Sequence, residues 1–261
     1  MTIDIDSLAD QLIHARRTRQ PLPRLLPEGV TGTIAQAMRV QQETVRRCVH
    51  AGDRVIGFKL GNIAKAMQDK FGVDQPDYGY LLDSLLRHEN LRLTADEFIA
   101  PYVELEPAFV LKRDLGGPHV NVADVIAATD CVLPALEIID SRIQDWHIGI
   151  FDTLADCGSN GAVILSAQPR TLGEVNLANT AGEVRFDGKV VASGNTAAIY
   201  GNPVSALVWL CRRVAEFGIT LKAGQIVLPG SCLAAVRLEP GVQVSGSFAG
   251  WGEVGFEYAA A

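Results

Sequence analysis

Three glutamates stand where a buried strand would carry apolar residues. In PYVELEPAFVL (101–111), Glu104 and Glu106 are two residues apart, and in LPALEIID (133–140) Glu137 interrupts a second apolar stretch. Side chains two apart on a strand share a face. Tyr102, Glu104, Glu106, Ala108 and Val110 therefore point one way, and Val103, Leu105, Pro107, Phe109 and Leu111 the other. Because the glutamate face continues into Ala108 and Val110, it is expected to be shielded from water. Two carboxylates about 6–7 Å apart repel by roughly 2.5 kcal/mol at an effective dielectric of about 20, and burial adds a desolvation cost. A proton, a basic partner or a metal ion must offset this. With no histidine or cysteine pattern nearby, an all-carboxylate set suits a hard divalent cation such as Mg²⁺ or Mn²⁺. The alternative puts Glu104 and Glu106 on an exposed sheet face and pairs Glu137 with an arginine.

Other residue types that could do chemistry are scattered. Lys59 closes a short apolar run, where a solvated lysine is the plain alternative, and Asp77 lies in a Pro- and Tyr-rich loop suited to a turn. Asp140 and Arg142 could form a structural ion pair or belong to a site. His147 follows Trp146 and reads as packing or surface. Ser231 in LPGSC lacks a Gly-x-Ser-x-Gly elbow, so a tight turn beside the pocket fits it better than a nucleophile, with Gly230 allowing close approach.

The elements that must position these residues fall into two textures. Residues 5–19 and 34–50 carry helical spacing; Ser7 to Asp10 could cap the first, and Thr33 with Gln36 forms a box-like cap on the second, which Gly52 ends. RVIGFKLG (54–61) reads as a strand and IAKAMQDKFG (63–72) as a short helix closed by Gly72. From residue 98 strand-like runs dominate: 101–112, 134–140, 161–166, 183–193, 225–229, 233–238, 242–248 and 253–259. One helix interrupts them, with Asn202 as cap, Pro203 in its first turn and Gly218 past its end. The division is an N-terminal helical part (1–75) and a β-rich body (76–261), as lobes of one folding unit.

The chain has 261 residues, 48% of them hydrophobic and 20% charged, enough for a sizeable core. A net charge of −7 argues against non-specific binding to nucleic acid or an anionic membrane. Cys48, Cys131, Cys157, Cys211 and Cys232 are odd in number and widely spaced, which fits a reducing cytoplasm rather than disulfides or zinc. MTIDIDSLAD lacks the basic, apolar start of a signal peptide, and no apolar run approaches the ~20 residues of a membrane span.

Four stretches together carry a specific resemblance: GFKLG (57–61) with KAMQDKFGVDQPDYGYLLD (65–83), YVELEPAFVL (102–111), ALEIIDSRIQDWHIGIFDTLADCGS (135–159) and GNPVSALVWLCRRVAEFGITLKAGQIVLPGSC (201–232). Over about residues 5–259 the chain resembles the 2-hydroxypenta-2,4-dienoate (2-keto-4-pentenoate) hydratase and 4-oxalocrotonate decarboxylase family of the fumarylacetoacetase superfamily. The resemblance implies an α+β fold, a fumarylacetoacetase-type mixed β-roll with an N-terminal helical part. It implies that Glu104, Glu106 and Glu137 hold Mg²⁺ or Mn²⁺, that Lys59 and Asp77 are catalytic, and that Leu60, Asp140, Arg142 and Ser231 bind substrate. The chemistry implied is that of a 2-oxo acid held at the cation through its carboxylate and 2-oxo oxygens. A nearby lysine would add positive charge, orient the carboxylate or shuttle a proton. The resemblance also implies a homo-oligomer, and it allows association with another enzyme of the same pathway.

The chain departs from the family pattern at Asn62-Ile63-Ala64, Leu233-Ala234, Gly241-Val242 and Gly252-Glu253. These positions are expected to edge the pocket and to alter recognition of the substrate's far end, where each lost hydrogen bond is worth about 0.5–1.5 kcal/mol. The first functional reading is hydration of a 2-hydroxy-2,4-dienoate in aromatic or steroid catabolism. Decarboxylation of an oxalocrotonate-type acid, a related lyase, isomerase or C–C hydrolase reaction, and a non-catalytic partner subunit are the alternatives.

Overall fold

The N-terminal helices form because each carries one apolar stripe and a satisfied first turn. In the computed structural model, which describes residues 3–63, 68–69 and 75–261, α1 spans Ile5–Thr18 and α2 Ile34–His50. Leu8, Ala9, Leu12 and Ala15 are the buried stripe of α1. Its cap is Asp4, which accepts from Ser7 N, and not the Ser7 to Asp10 pairing expected from sequence. The Thr33–Gln36 capping box of α2 forms as expected. The two helices pack together, and Arg47 ties α2 to Asp6 and Asp10 of α1. Most of the helix expected over 63–72 lies outside the described residues.

The main sheet is built from β1 (Val55–Gly61), β2 (Asp77–Leu82), β3 (Leu86–His88), β5 (Tyr102–Leu111), β6 (Thr129–Ile139), β7 (Asn160–Leu165) and β10 (Ile226–Leu228). Its order is β2-β1-β10-β5-β6-β7-β3, and β11 (Val236–Arg237) pairs with the start of β5. A second sheet has the order β4-β13-β12-β8-β9, from β4 (Arg92–Thr94), β8 (Ala181–Phe186), β9 (Lys189–Asn195), β12 (Val242–Phe248) and β13 (Gly252–Ala259). The run expected as one strand over 183–193 is instead the β8–β9 hairpin. Asp187 and Gly188 turn it at φ 48° and 76°, left-handed conformations that two-residue hairpin loops require. The strand expected over 233–238 shrinks to the two residues of β11.

Register decides what each face of β5 and β6 meets. Leu105 lies opposite Leu136, and Glu104 opposite Glu137. The leucine face packs on the second sheet: a Cβ at Gly246 would come within 3 Å of both Leu105 and Leu136 side chains. The glutamate face turns the other way and runs into a buried cluster of Ala108, Leu133, Ala135 and Leu228. Helices α3 (Val122–Ala128), α4 (Ile150–Ala155) and α5 (Pro203–Ala215) flank the sheets, α5 starting at Asn202 and Pro203 as expected. Among the described residues no helix is long and apolar enough to cross a membrane.

Candidate active site

Cross-strand pairing brings the three glutamates together. Glu104 and Glu137 are direct partners on β5 and β6, and Glu106 is the next residue on the same face of β5. All three are buried, and one oxygen of each lies within 4.8 Å of the others. Gly230 N donates to Glu106 Oε2 at 2.7 Å. Among the described residues Glu106 Oε1 and both oxygens of Glu137 make no hydrogen bond, and Lys59 stands beside Glu137 as an ion-pair partner. Burial, then the charges of Glu137 and Glu104, push the Glu106 carboxyl well above the usual carboxylate range. Burial also raises Glu137, against the opposing pull of Lys59. Orphaned, buried carboxylate oxygens are costly, and a hard divalent cation with oxygen ligands is a group this donor set fits.

Lys59 lies on the same side. It projects from β1, and Nζ donates to the Gly158 carbonyl at 2.7 Å, 3.5 Å from Glu137 Oε1 and 3.8 Å from Asp77 Oδ1. Burial alone would lower the ammonium, but Glu137, Asp77, Glu104 and Glu106 outweigh it and hold Lys59 above its usual value. The carbonyl it meets belongs to a left-handed run, Cys157, Gly158 and Ser159, at φ 54°, 65° and 55°. A Cβ at Gly158 would stand 2.7 Å from Lys59 Cδ, so only glycine lets the lysine lie there. Asp77 begins β2; its Oδ2 accepts from Asn62 Nδ2 at 2.6 Å and from Thr153 Oγ1 at 2.7 Å.

Lys59, Asn62, Asp77, Glu104, Thr153 and Gly158 border a cavity of ≈ 20 Å³, completed by Ile139, Trp146 and Ile148. That is room for about one water. Wider depressions of ≈ 560 Å³ beside Glu89 and Glu253 and of ≈ 830 Å³ between α1 and α2 contain none of the clustered carboxylates.

The remaining residues expected to bind substrate are not brought to this cavity. Leu60 points to the opposite face of β1 and packs in the main core with Phe58. Asp140 accepts from Ile99 N and Ala100 N, holding the turn before β5. Arg142 pairs with Asp156 at 2.7 Å rather than with Asp140, and its Nη1 donates to Asn160 O. Ser231 Oγ bridges the chain to Leu105 O and Leu233 O, so LPGSC is a turn, with Gly230 at φ 104° against Ile63. His147 is exposed.

The departures from the family pattern do not all edge the cavity as expected. Glu253 is exposed on β13, Gly241 is exposed at the turn before β12, and Leu233 packs in the core. Of these positions Asn62 lines the cavity and Ile63 packs against Gly230, whose N–H meets Glu106; Ala64 lies outside the described residues. Sequence reading missed Thr153, Gly158 and Ser159 as wall residues. Asp-Cys-Gly-Ser was quoted as a motif, but only the folded turn reveals a carbonyl aimed at a lysine.

No family model matches the chain. It is 40% identical over 216 residues to 2-hydroxypent-2,4-dienoate hydratase of Pseudomonas putida, covering 82% of this chain and 97% of that protein. It is 36% identical over 253 residues to 2-keto-4-pentenoate hydratase of Paraburkholderia phymatum, covering 96% and 95%. Its fold matches 4-oxalocrotonate decarboxylase of Pseudomonas putida G7, solved with magnesium and adipate, at a TM-score of 0.93 and 30% identity over 97% of both chains.

Proposed function

Because the chain belongs to the 2-keto-4-pentenoate hydratase family, we propose that it adds water to a 2-hydroxy-2,4-dienoate to give a 4-hydroxy-2-oxo acid. The observation that supports this reading is the buried cluster of Glu104, Glu106 and Glu137 beside Lys59, in which Glu106 Oε1 and both oxygens of Glu137 make no hydrogen bond among the described residues. Glu104, Glu106 and Glu137 would hold a divalent cation, Mg²⁺ or Mn²⁺. When bound, such a cation supplies a Lewis acid for the 2-oxo oxygen. Lys59 would place its ammonium next to the anionic end of the substrate. Asp77, whose Oδ1 makes no hydrogen bond among the described residues and lies 3.8 Å from Lys59 Nζ, is the carboxylate able to take and return the proton that moves as the dienol becomes the conjugated 2-oxo acid. Water then adds at the far carbon of that enone. Ile139, Trp146 and Ile148 supply the apolar part of the cavity wall.

The fold match to a decarboxylase supports a second reading, loss of CO₂ from an oxalocrotonate-type acid at the same carboxylates. The higher identity to hydratases favours the first. The five unpaired cysteines support a reducing, cytoplasmic setting, and the exposed Val190 and Val191 of β9 support assembly with further copies of the chain.

The test is metal-stripped protein mixed with freshly generated 2-hydroxypenta-2,4-dienoate, with and without Mn²⁺ or Mg²⁺. Metal-dependent loss of the dienol's ultraviolet absorbance, with a product heavier by one water, is the expected result. Failure to hydrate the dienoate, with CO₂ release from 4-oxalocrotonate, would replace hydration by decarboxylation.

A further inference from the structure

The two oxygens of Asp77 are treated unequally. The residue is 2% exposed, and both of its hydrogen-bond donors, Asn62 Nδ2 and Thr153 Oγ1, go to Oδ2. Oδ1 has no hydrogen-bond partner among the described residues and stands 3.8 Å from Lys59 Nζ. That separation is longer than the about 2.7–2.9 Å of a direct lysine–carboxylate hydrogen bond. Lys59 meanwhile donates to the Gly158 carbonyl.

The two donors come from separate elements, and each is held in place. Thr153 is 1% exposed on α4, where its backbone N donates to Gly149 O. The neighbouring Asp152 anchors that helix through Gly149 N and Leu25 N. Asn62 leaves β1 at φ 52°, a left-handed conformation that asparagine tolerates better than most residues, and its amide reaches back to Asp77.

Resting on the reading of Asp77 as an active-site carboxylate, we propose that Thr153 and Asn62 are positioning residues that clamp Asp77 Oδ2 and so keep Oδ1 free and short of Lys59. Without the clamp the carboxylate rotates toward Lys59 and closes a direct ion pair. The lysine and the acceptor oxygen are then spent on each other. The clamp thus keeps two opposite charges adjacent but separately available, a geometry that burial otherwise disfavours.

Thr153→Val removes the hydroxyl at nearly constant volume, Thr153→Ser keeps it, and Asn62→Gly removes the amide while retaining the left-handed backbone. Turnover of 2-hydroxypenta-2,4-dienoate is expected to fall roughly 10–100-fold in Thr153→Val and in Asn62→Gly, the range for partners that orient a site group. Thr153→Ser restores it to within about threefold, and Mn²⁺ affinity changes less than about threefold in each. In an Asp77→Asn background, Thr153→Val and Asn62→Gly add less than about a twofold further loss, because they act through Asp77. Asn62 sits at a strand end, so Asn62→Gly carries the comparison if Thr153→Val does not fold. Wild-type turnover in both variants, or losses that multiply with that of Asp77→Asn, would overturn the proposal. Full activity in Asp77→Asn would remove the role of Asp77 itself and this proposal with it. If the wild-type protein does not hydrate the dienoate, the same variants are compared by C3 deuterium exchange of 2-oxopentanoate, so failure of the hydratase reading and failure of the clamp are told apart.

Discussion

Glu137 and Asp140 lie three residues apart on one stretch of chain, and both are buried, yet their surroundings differ in kind. Asp140 accepts from two backbone N–H groups, and the nearby Arg142 is bound to Asp156 through Nε and through its own backbone N–H. Every charge there has a partner supplied by the fold. Among the described residues neither oxygen of Glu137 accepts a hydrogen bond, although Lys59 lies 3.5 Å from one of them, and one oxygen of Glu106 also accepts none. Buried charge is expensive in both places. In the Asp140–Arg142–Asp156 network the protein itself supplies the compensation, so the network is framework. At Glu106 and Glu137 the fold leaves buried oxygens without a hydrogen bond among the described residues, with Lys59 the nearby charge, and the proposed reading assigns the remaining compensation to a divalent cation.

The largest effect that would break this contrast comes from the orphaned cluster. Glu106→Gln is expected to lower metal-dependent turnover by roughly a thousandfold or more. The thermal stability of the metal-free protein should hold or rise, because an uncompensated buried acid is removed; steady-state kinetics and calorimetry on one preparation check both. Unchanged turnover would return Glu106 to the framework. The converse holds for Asp156→Ala. Arg142 loses its ion-pair partner, and urea unfolding should show about 3–5 kcal/mol of lost stability, while the folded fraction keeps its Mn²⁺ affinity.

Acidity sharpens the contrast further. Glu106 is raised in the fold above the 4.5 of an ordinary glutamate, chiefly by burial. A raised carboxyl binds its proton more tightly folded than unfolded. The contribution of Glu106 to the stability of the metal-free protein is therefore fully present below that ordinary value and is lost as pH rises from there through the folded one. The loss is about 1.4 kcal/mol for each unit of difference. Saturating Mn²⁺ should flatten the slope. Urea unfolding at about pH 5 and about pH 7, with chelator and with Mn²⁺, measures it. The smallest effect is expected from Asp140→Asn, which keeps an acceptor for Ile99 and Ala100 and should cost about 1 kcal/mol without altering metal affinity.

Much of this was legible from residue order because it is local. Period-two alternation placed Glu104 and Glu106 on one face, and the Thr33–Gln36 and Asn202–Pro203 signals marked helix starts. Glu137 read as a third anomaly, but its place opposite Glu104 depends on the β5–β6 register. The partners of Asp140 and Arg142, which are Ile99, Ala100 and Asp156, were not legible because they come from turns whose path spacing does not reveal. Thr153 was silent for a similar reason: α4 is six residues long, too short to show a helical period. The β8–β9 hairpin carried its signal in Asp187-Gly188, but flanking valines made the run look continuous. The changes at Glu253 and Gly241 looked important as sequence and proved remote as structure.

The most direct test of the central claim is a calorimetric titration of Mn²⁺ into metal-stripped wild-type protein and into Glu137→Gln. The account predicts one ion bound per chain in the wild type and loss of that binding in the variant. No binding to the wild type, or binding undiminished in Glu137→Gln, would contradict it.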